Sequence, residues 1–350
     1  MNRLIARLND LTLSPLARAP EFLSYALDGA MSIPDCIGSI NIIIDELTMR
    51  FNHLDLNLLV ALDVLLEEQN ITRAAERLHM TQSATSGVLA RLRSYFEDDI
   101  LIQIGRKMQP TAYALELAIP VREVLLDIKS SITIKPTFDP AVSKKHLRII
   151  TSDYLISILL VRVIQHIHQL APNITFEMLS PGDNSSDLLV RGEVDMMIVP
   201  ERYIVEGHPS QMLFEEELVC VVWEKNPHAE TGLTLEQYMN MGHISVGFGR
   251  NRQLSIEDWL MSQYGFERRL EVISNDFNTL PQLIVGTQRI ATMHRRLAEL
   301  YSEHLPLRLL PSPVKLPTMR EYMLWHRSMD SDPIHRWLRE QISTFAQSLG

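Results

Sequence analysis

Gln82, Ser83, Thr85, Ser86 and Arg91 recur on the polar side of a stretch that opens at Thr81, and amide, hydroxyl and guanidinium groups are what meet base edges in a DNA groove. Thr81 is read as a helix cap, with Ala84, Val88 and Leu92 facing inward. A shorter helix precedes it, opening at Thr72, placing Ala74, Ala75 and Leu78 on one apolar face, and breaking at His79 and Met80. The small alanines let the two helices cross closely, so that the second projects its polar end into a major groove. Thr72, Arg73 and Thr81 then fall where phosphates run. Arg106 and Lys107 sit at the tip of a hairpin between Ile100–Ile104 and Met108-Gln109-Pro110, the place of a wing that meets phosphates or a minor groove. The plain reading of the same residues is a pair of capped amphipathic core helices and a solvated turn.

Other chemistry is set aside on spacing. His166 and His168 are two apart on a helix and face different ways, whereas a metal site prefers residues four apart. Gly247-Phe248-Gly249-Arg250 lacks the third glycine and the helix start of a phosphate cradle. The sequence contains no GxSxG, HExxH, CxxC or Walker pattern, so no enzyme chemistry and no cofactor is expected. Asp98-Asp99 is read as a helix terminator that keeps the wing soluble.

The elements that must hold these residues follow from periodicity. Leu58, Leu59, Leu62, Leu65 and Leu66 give a first helix behind an Asp55 cap. Ala114, Leu117, Val121, Val124 and Ile128 repeat at three and four, the seam of a dimerising helix over 111–130, with Pro120 expected to kink it. The same stripe could instead pack on its own domain. Residues 131–146, with Pro136, Pro140 and Lys144-Lys145, read as a hinge. From Leu147 strand and helix signals alternate: Leu147–Thr151, a helical face from Ile156 to Ile167, Ile174–Leu179, a helix Ser185–Arg191 and Val194–Val199. A second set runs through Leu218–Val222, Ile244–Val246, a helix around Ile256–Tyr264, Leu270–Ile273, a helix Leu280–Val285 and Arg289–Met293. The chain returns through Leu307–Leu310 and Tyr322–Trp325 to a helix at 332–348. Loops at strand ends facing a cleft carry Thr151, Ser152, Asp153, Tyr154, Asp183, Phe248, Phe277, Met293 and His294. Apolar faces with carboxylates and imidazole suit a flat ring bearing hydroxyls.

The stretch from Met49 to Ser130, with MRFNHLDLNLLVALDVLLEEQNITRAAERL, TQSATS and FEDDILIQIGRKMQPT, resembles the DNA-binding region of LysR-type transcriptional regulators, and more narrowly their nodulation-activator D branch. That branch also includes regulators of chlorinated-aromatic breakdown. The resemblance reaches about residue 345, RGEVDMMIVP at 191–200 being a specific part of it. It implies a winged helix-turn-helix, a linker helix and a two-lobed periplasmic-binding-protein-like effector domain, an α + α/β architecture, with inducer contacts on the loops named above. It also implies that translation starts at Met49, leaving 1–48 as an extension. Gly87 departs from the pattern, standing where relatives often carry a long polar residue, and Ala112-Tyr113 stands in place of Ala-Gly.

Composition sets independent bounds. A chain of 350 residues with 46% apolar and 22% charged residues fits two or three globular domains. A net charge of −10 excludes coating nucleic acid by bulk attraction. Between Thr72 and Pro110, however, Arg73, Arg77, Arg91, Arg93, Arg106 and Lys107 outnumber Glu76, Glu97, Asp98 and Asp99, so DNA contact is a local patch. Cys36 and Cys220 form no framework or metal motif and fit a reducing cytosol, and no transmembrane span or export signal is read. The expectation is a cytoplasmic regulator: 49–110 winged domain, 111–130 linker helix, 131–146 hinge, 147–350 effector domain, with lobe I at 147–217 and 299–350 and lobe II at 218–298. Its partners are double-stranded promoter DNA, RNA polymerase, a small aromatic inducer (phenolic or hydroquinone-like), and further copies of itself as homodimer or homotetramer. The expected role is activation of an aromatic-catabolic operon. Alternatives are a flavonoid-responsive nodulation-type activator and, in another class, a solute-binding protein.

Overall fold

The computed structural model describes residues 55–105, 107–133, 138–248, 253–254, 265 and 268–349. The 1–48 extension, Met49, Arg106, Gly249, the helix expected at Ile256–Tyr264 and part of the 131–146 hinge lie outside the described residues. Two compact units divide between Leu125 and Leu126.

The first unit is built on α1 (Leu56–Glu68), α2 (Ile71–Arg77) and α3 (Gln82–Phe96), followed by the hairpin β1 (Leu101–Ile104) and β2 (Lys107–Pro110) and the start of α4 (Ala112–Thr133). Asp55 caps α1, its carboxylate accepting from Asn57 N. The cap of α2 is Asn70, which accepts from the backbone of Thr72 and Arg73. Thr72 therefore lies inside the helix, because asparagine in extended backbone two residues earlier supplies a better-placed acceptor. Leu58, Leu62, Leu65, Ala74, Leu89, Leu92, Ile100 and Leu101 form the core. Ala114 and Val121 of α4 enter the same core, with Leu117 and Leu125 packed against it. Much of the stripe expected to form a dimer seam is thus used within the domain, while Leu115, Ile119 and Val124 stay exposed. The helix continues through Pro120.

The second unit holds two sheets. The strands of the first are β3 (Lys145–Thr151), β4 (Ile174–Leu179), β5 (Met196–Pro200), β6 (Ser210–Glu216) and, from late in the chain, β13 (Met319–Trp325), arranged in the order β4-β3-β5-β13-β6. Strands β3, β4 and β5 are parallel, and β13 runs antiparallel to both β5 and β6. Helix α5 (Asp153–Leu155) leads through a π-helical stretch (Ile156–Leu160) into α6 (Val161–Leu170), and α7 (Ser185–Val190) crosses back to β5. The second sheet is made of β7 (Leu218–Trp223), β8 (His243–Phe248), β10 (Leu270–Ser274), β11 (Ile290–His294) and β12 (Leu307–Leu310), in the order β10-β8-β11-β7-β12. A short β9 (Gln253–Leu254) pairs with β8. Helices α8 (Leu235–Asn240), α9 (Leu280–Ile284) and α10 (Arg295–Ser302) flank this sheet, and α11 (Pro333–Gln347) ends the chain on the first. The chain crosses between lobes twice, at β6 to β7 and at β12 to β13. Strand β12 pairs with β7, so 307–310 belongs to the second lobe and not to the first, where the sequence pattern puts it. One continuous apolar core joins both lobes, from Leu147 and Met196 to Val219 and Met293.

Candidate functional site

In the winged domain Thr81 caps α3, its Oγ1 accepting from Ala84 N at 3.2 Å. Gln82, Ser83 and Ser86 are exposed together on the first turns. Thr85 is not: it is buried, and its Oγ1 donates to Thr81 O at 3.1 Å. The inward face is Thr85, Leu89 and Leu92, one step round from the expected Ala84 and Val88, because leucine at 89 carries more apolar area than alanine at 84. Thr85 is removed from the base-reading set. Gly87 is exposed on the same helix, and a Cβ there would meet nothing within 4 Å.

The cations are less available than their number suggests. Arg91 donates to Asp55 Oδ2 at 3.0 Å, and Asn57 N with this guanidinium holds the Asp55 carboxyl below its usual range. Arg73 pairs with Glu68 at 3.1 Å, Arg77 with Glu67 and Glu68. Arg93 donates to the carbonyls of Asp99 and Leu101 at 2.8 and 2.7 Å, and so ties α3 to the wing. Thr72 is exposed with its backbone N–H on Asn70 Oδ1, and Lys107 is exposed on β2 beyond the Gly105 turn. Asp98 does more than end a helix. Its Oδ1 accepts from Ile100 N at 2.7 Å and Thr111 Oγ1 at 2.6 Å, fixing Ile100 at φ 60°, a left-handed conformation costly for a β-branched residue.

The second unit holds a partly open cavity of about 160 Å³ between its lobes. Ser152, Tyr154, Asp183, Phe248, Phe277 and His294 line it, together with Tyr203, Met319 and Glu321, which sequence reasoning does not select. The Tyr154 and His294 rings stack at 3.8 Å and 8°, and Phe277 stands edge-on to His294 at 4.6 Å. Three expected residues do not line it. Thr151 and Met293 are buried within their strands. Asp153 bridges the lobes, accepting from Phe277 N at 3.0 Å and Asn278 N at 2.7 Å.

Beneath the aromatic rings lies a buried polar group. Tyr154 OH donates to Glu216 Oε2, and Arg296 Nη1 donates to the same oxygen at 3.0 Å. Burial and the Glu216 carboxylate raise the Tyr154 phenol well above its ordinary value. Burial pushes His294 down to about 3, so its imidazole is neutral, and its Nδ1 has no hydrogen-bond partner among the described residues. Burial, with Glu216 nearby, pushes Glu321 up to about 8, and its Oε2 likewise has no partner among the described residues. Glu216 ends β6 and Glu321 lies on β13, next to the two crossovers.

A winged helix-turn-helix followed by a two-lobed domain with a cleft defines a DNA-binding transcriptional regulator. The chain belongs to the LysR family: residues 56–115 match the bacterial regulatory helix-turn-helix protein, lysR family, and residues 141–347 match the LysR substrate binding domain. It is 42% identical over 294 residues to nodulation protein D 1 of Bradyrhizobium sp. strain NC92, covering 84% of this chain and 94% of that protein. It is 43% identical over 291 residues to nodulation protein D 1 of Rhizobium tropici, covering 83% and 94%. Among solved structures, a probable transcriptional regulator of Pseudomonas aeruginosa aligns at TM-score 0.57 and 26% identity, over 85% of this chain and 98% of that one. A full-length OxyR variant of the same organism aligns at TM-score 0.62 and 17% identity, over 84% and 95%, a likeness of fold. The solute-binding alternative is thereby excluded. No helix among the described residues is long and apolar enough to cross a membrane.

Proposed function

We propose that this regulator activates transcription when a small phenolic ring enters the cavity of its second unit. The observation that carries the reading is the cavity itself, walled by Tyr154, His294, Phe277 and Phe248, with the carboxyl of Glu321 at its side. Aromatic walls take a flat ring, and the few polar atoms orient it. At about 160 Å³ the space is close to the roughly 150 Å³ of an engineered cavity that binds benzene, which favours a single ring over a three-ring flavonoid. The relatives favour the other reading, since proteins called nodulation protein D are 42% and 43% identical to this chain over the aligned residues.

On the DNA side, Gln82, Ser83 and Ser86 meet base edges, Thr72, Arg73 and Thr81 position on phosphates, and Lys107 reaches DNA from the wing, Arg106 being the second cation that the sequence offers there. The exposed Leu115 and Ile119, one turn apart on α4, provide a face for a second copy, and paired copies read paired half-sites and meet RNA polymerase. Two measurements test the whole. Gel retardation on DNA upstream of its own gene is lost in a Gln82→Ala, Lys107→Ala double variant of unchanged thermal stability; undiminished retardation overturns the DNA assignment. Calorimetric titration shows binding of a one-ring phenol, whereas binding of a flavonoid alone favours the nodulation-type reading, and binding of an aliphatic acid alone overturns the aromatic one.

A further inference from the structure

We infer that Glu321 is the specificity-determining residue of the cavity: as a neutral acid it donates a hydrogen bond to an acceptor oxygen of an uncharged ring, and the site refuses a carboxylate. The inference rests on the reading of this cavity as the effector site. Glu321 is 1% exposed, lines the cavity, and leaves Oε2 without a partner among the described residues. A buried polar atom left unpaired is costly, so a cavity bordered by one is completed by what it binds.

The charge around it decides which form it takes. Among the described residues, no lysine or arginine lines the cavity. The cation nearest in the network, Arg296 on α10, is held by Glu216 Oε2 and by the carbonyls of Glu215 and Leu349. The groups facing the cavity beside Glu321 are Tyr154 from α5, His294 from β11 and Asp183, with Glu216 of β6 beneath the rings. Two acids, a phenol and a neutral imidazole offer no compensating positive charge. Burial, and the Glu216 carboxyl that already holds Arg296 at 3.0 Å, disfavour a charged Glu321, which keeps its proton up to about pH 8. A ligand carboxylate entering the same space meets like charge without a partner, whereas a phenolic or ether oxygen accepts from Glu321 while its ring lies against the aromatic walls.

The test uses full-length protein and calorimetric titration with 4-methoxyphenol and 4-hydroxybenzoate at pH 6.5 and pH 9. 4-Methoxyphenol is expected to bind more tightly than 4-hydroxybenzoate at pH 6.5, and to weaken about tenfold at pH 9, where roughly one Glu321 in eleven keeps its proton. Glu321→Gln retains an N–H donor that cannot ionise, so it keeps binding and loses the pH step. Glu321→Leu loses about tenfold at pH 6.5. Tighter binding of 4-hydroxybenzoate, or 4-methoxyphenol binding indifferent to pH and to Glu321→Leu, overturns the role of Glu321 and leaves the aromatic cavity standing. Binding of neither ring by any variant, with an aliphatic acid bound instead, overturns the cavity reading and this inference with it.

Discussion

Gly87 is the residue whose presence the fold least explains. Glycine inside a helix costs about 1 kcal/mol relative to alanine, yet a Cβ at this position would meet nothing, and the backbone there is ordinary helix. Gly87→Ala is therefore expected to raise the unfolding midpoint, by about 0.5–1 kcal/mol of stability. The same methyl stands beside Ser83 and Ser86 on the reading face, so gel retardation should weaken while the protein becomes more stable. A variant that gains stability and binds DNA as well as before removes the close-approach reading of the glycine. Asp98 is the opposite case, a residue that the fold explains completely. Asp98→Ala leaves Ile100 N and Thr111 Oγ1 without their acceptor and should cost about 1–3 kcal/mol, read as a lower thermal midpoint.

At the scale of elements, the exposed stripe on α4 sets a prediction about assembly. Leu115 is 58% exposed and Ile119 56%, one turn apart, on a helix whose other face is already packed. Leu115→Lys with Ile119→Lys should leave the winged domain folded and shift the oligomer to monomer in sedimentation. Loss of retardation should accompany it, because one copy buries too little DNA surface for specific binding. The same helix shows what periodicity can reveal. A stripe at three and four marks an apolar face, but whether it meets its own domain or another chain depends on packing that sequence spacing does not contain. Most strands are legible as apolar runs bounded by turn signals, and Leu147–Thr151 and Ile174–Leu179 are examples. Strand β6 offers only Met212-Leu213-Phe214 between polar ends, too short a run to be read as a strand, and β13 shows the signal only from Tyr322 although the strand begins at Met319. Both failures have one cause. Glu216 closes β6 and Glu321 lies inside β13, both buried where alternation calls for an apolar residue, so each acid shortens the apolar run its strand shows. The residues that break the pattern are the ones at and under the cavity, as expected where chemistry overrides packing. Tyr154, Phe277 and His294 are easier to find because ring-bearing residues at or just beyond strand ends fit pattern and site alike.

For the whole molecule, the buried ionisable groups fix a pH of greatest stability. Burial holds His243, His326 and His335 near 4 and His294 near 3, all below the 6.5 of an exposed histidine. His335 is locked neutral by its contacts, since Arg339 Nη1 donates to Nδ1 at 2.9 Å while Nε2 donates to Asp195 O at 2.9 Å. With folded values depressed, the unfolded chain binds more protons below pH 6.5. The stability these four provide is complete above that pH and is lost as pH falls toward 4. Glu321 acts in the other direction. Its folded value, about 8 against 4.5, means that the folded chain holds the extra proton, so stability declines as pH rises through that interval. Each titrating group carries up to about 1.4 kcal/mol per pH unit, so four histidines outweigh one glutamate between 4.5 and 6.5, and above 6.5 Glu321 titrates without them. The thermal midpoint of the full-length protein should peak near pH 6.5, above its isoelectric point of 5.7, and fall more steeply on the acid side. Glu321→Gln should flatten the alkaline limb and steepen the acid limb between pH 4.5 and 6.5, where the opposing contribution of the glutamate is lost. An acid limb that flattens as well would mean that the histidines titrate freely, and the buried neutral set would have to be redrawn.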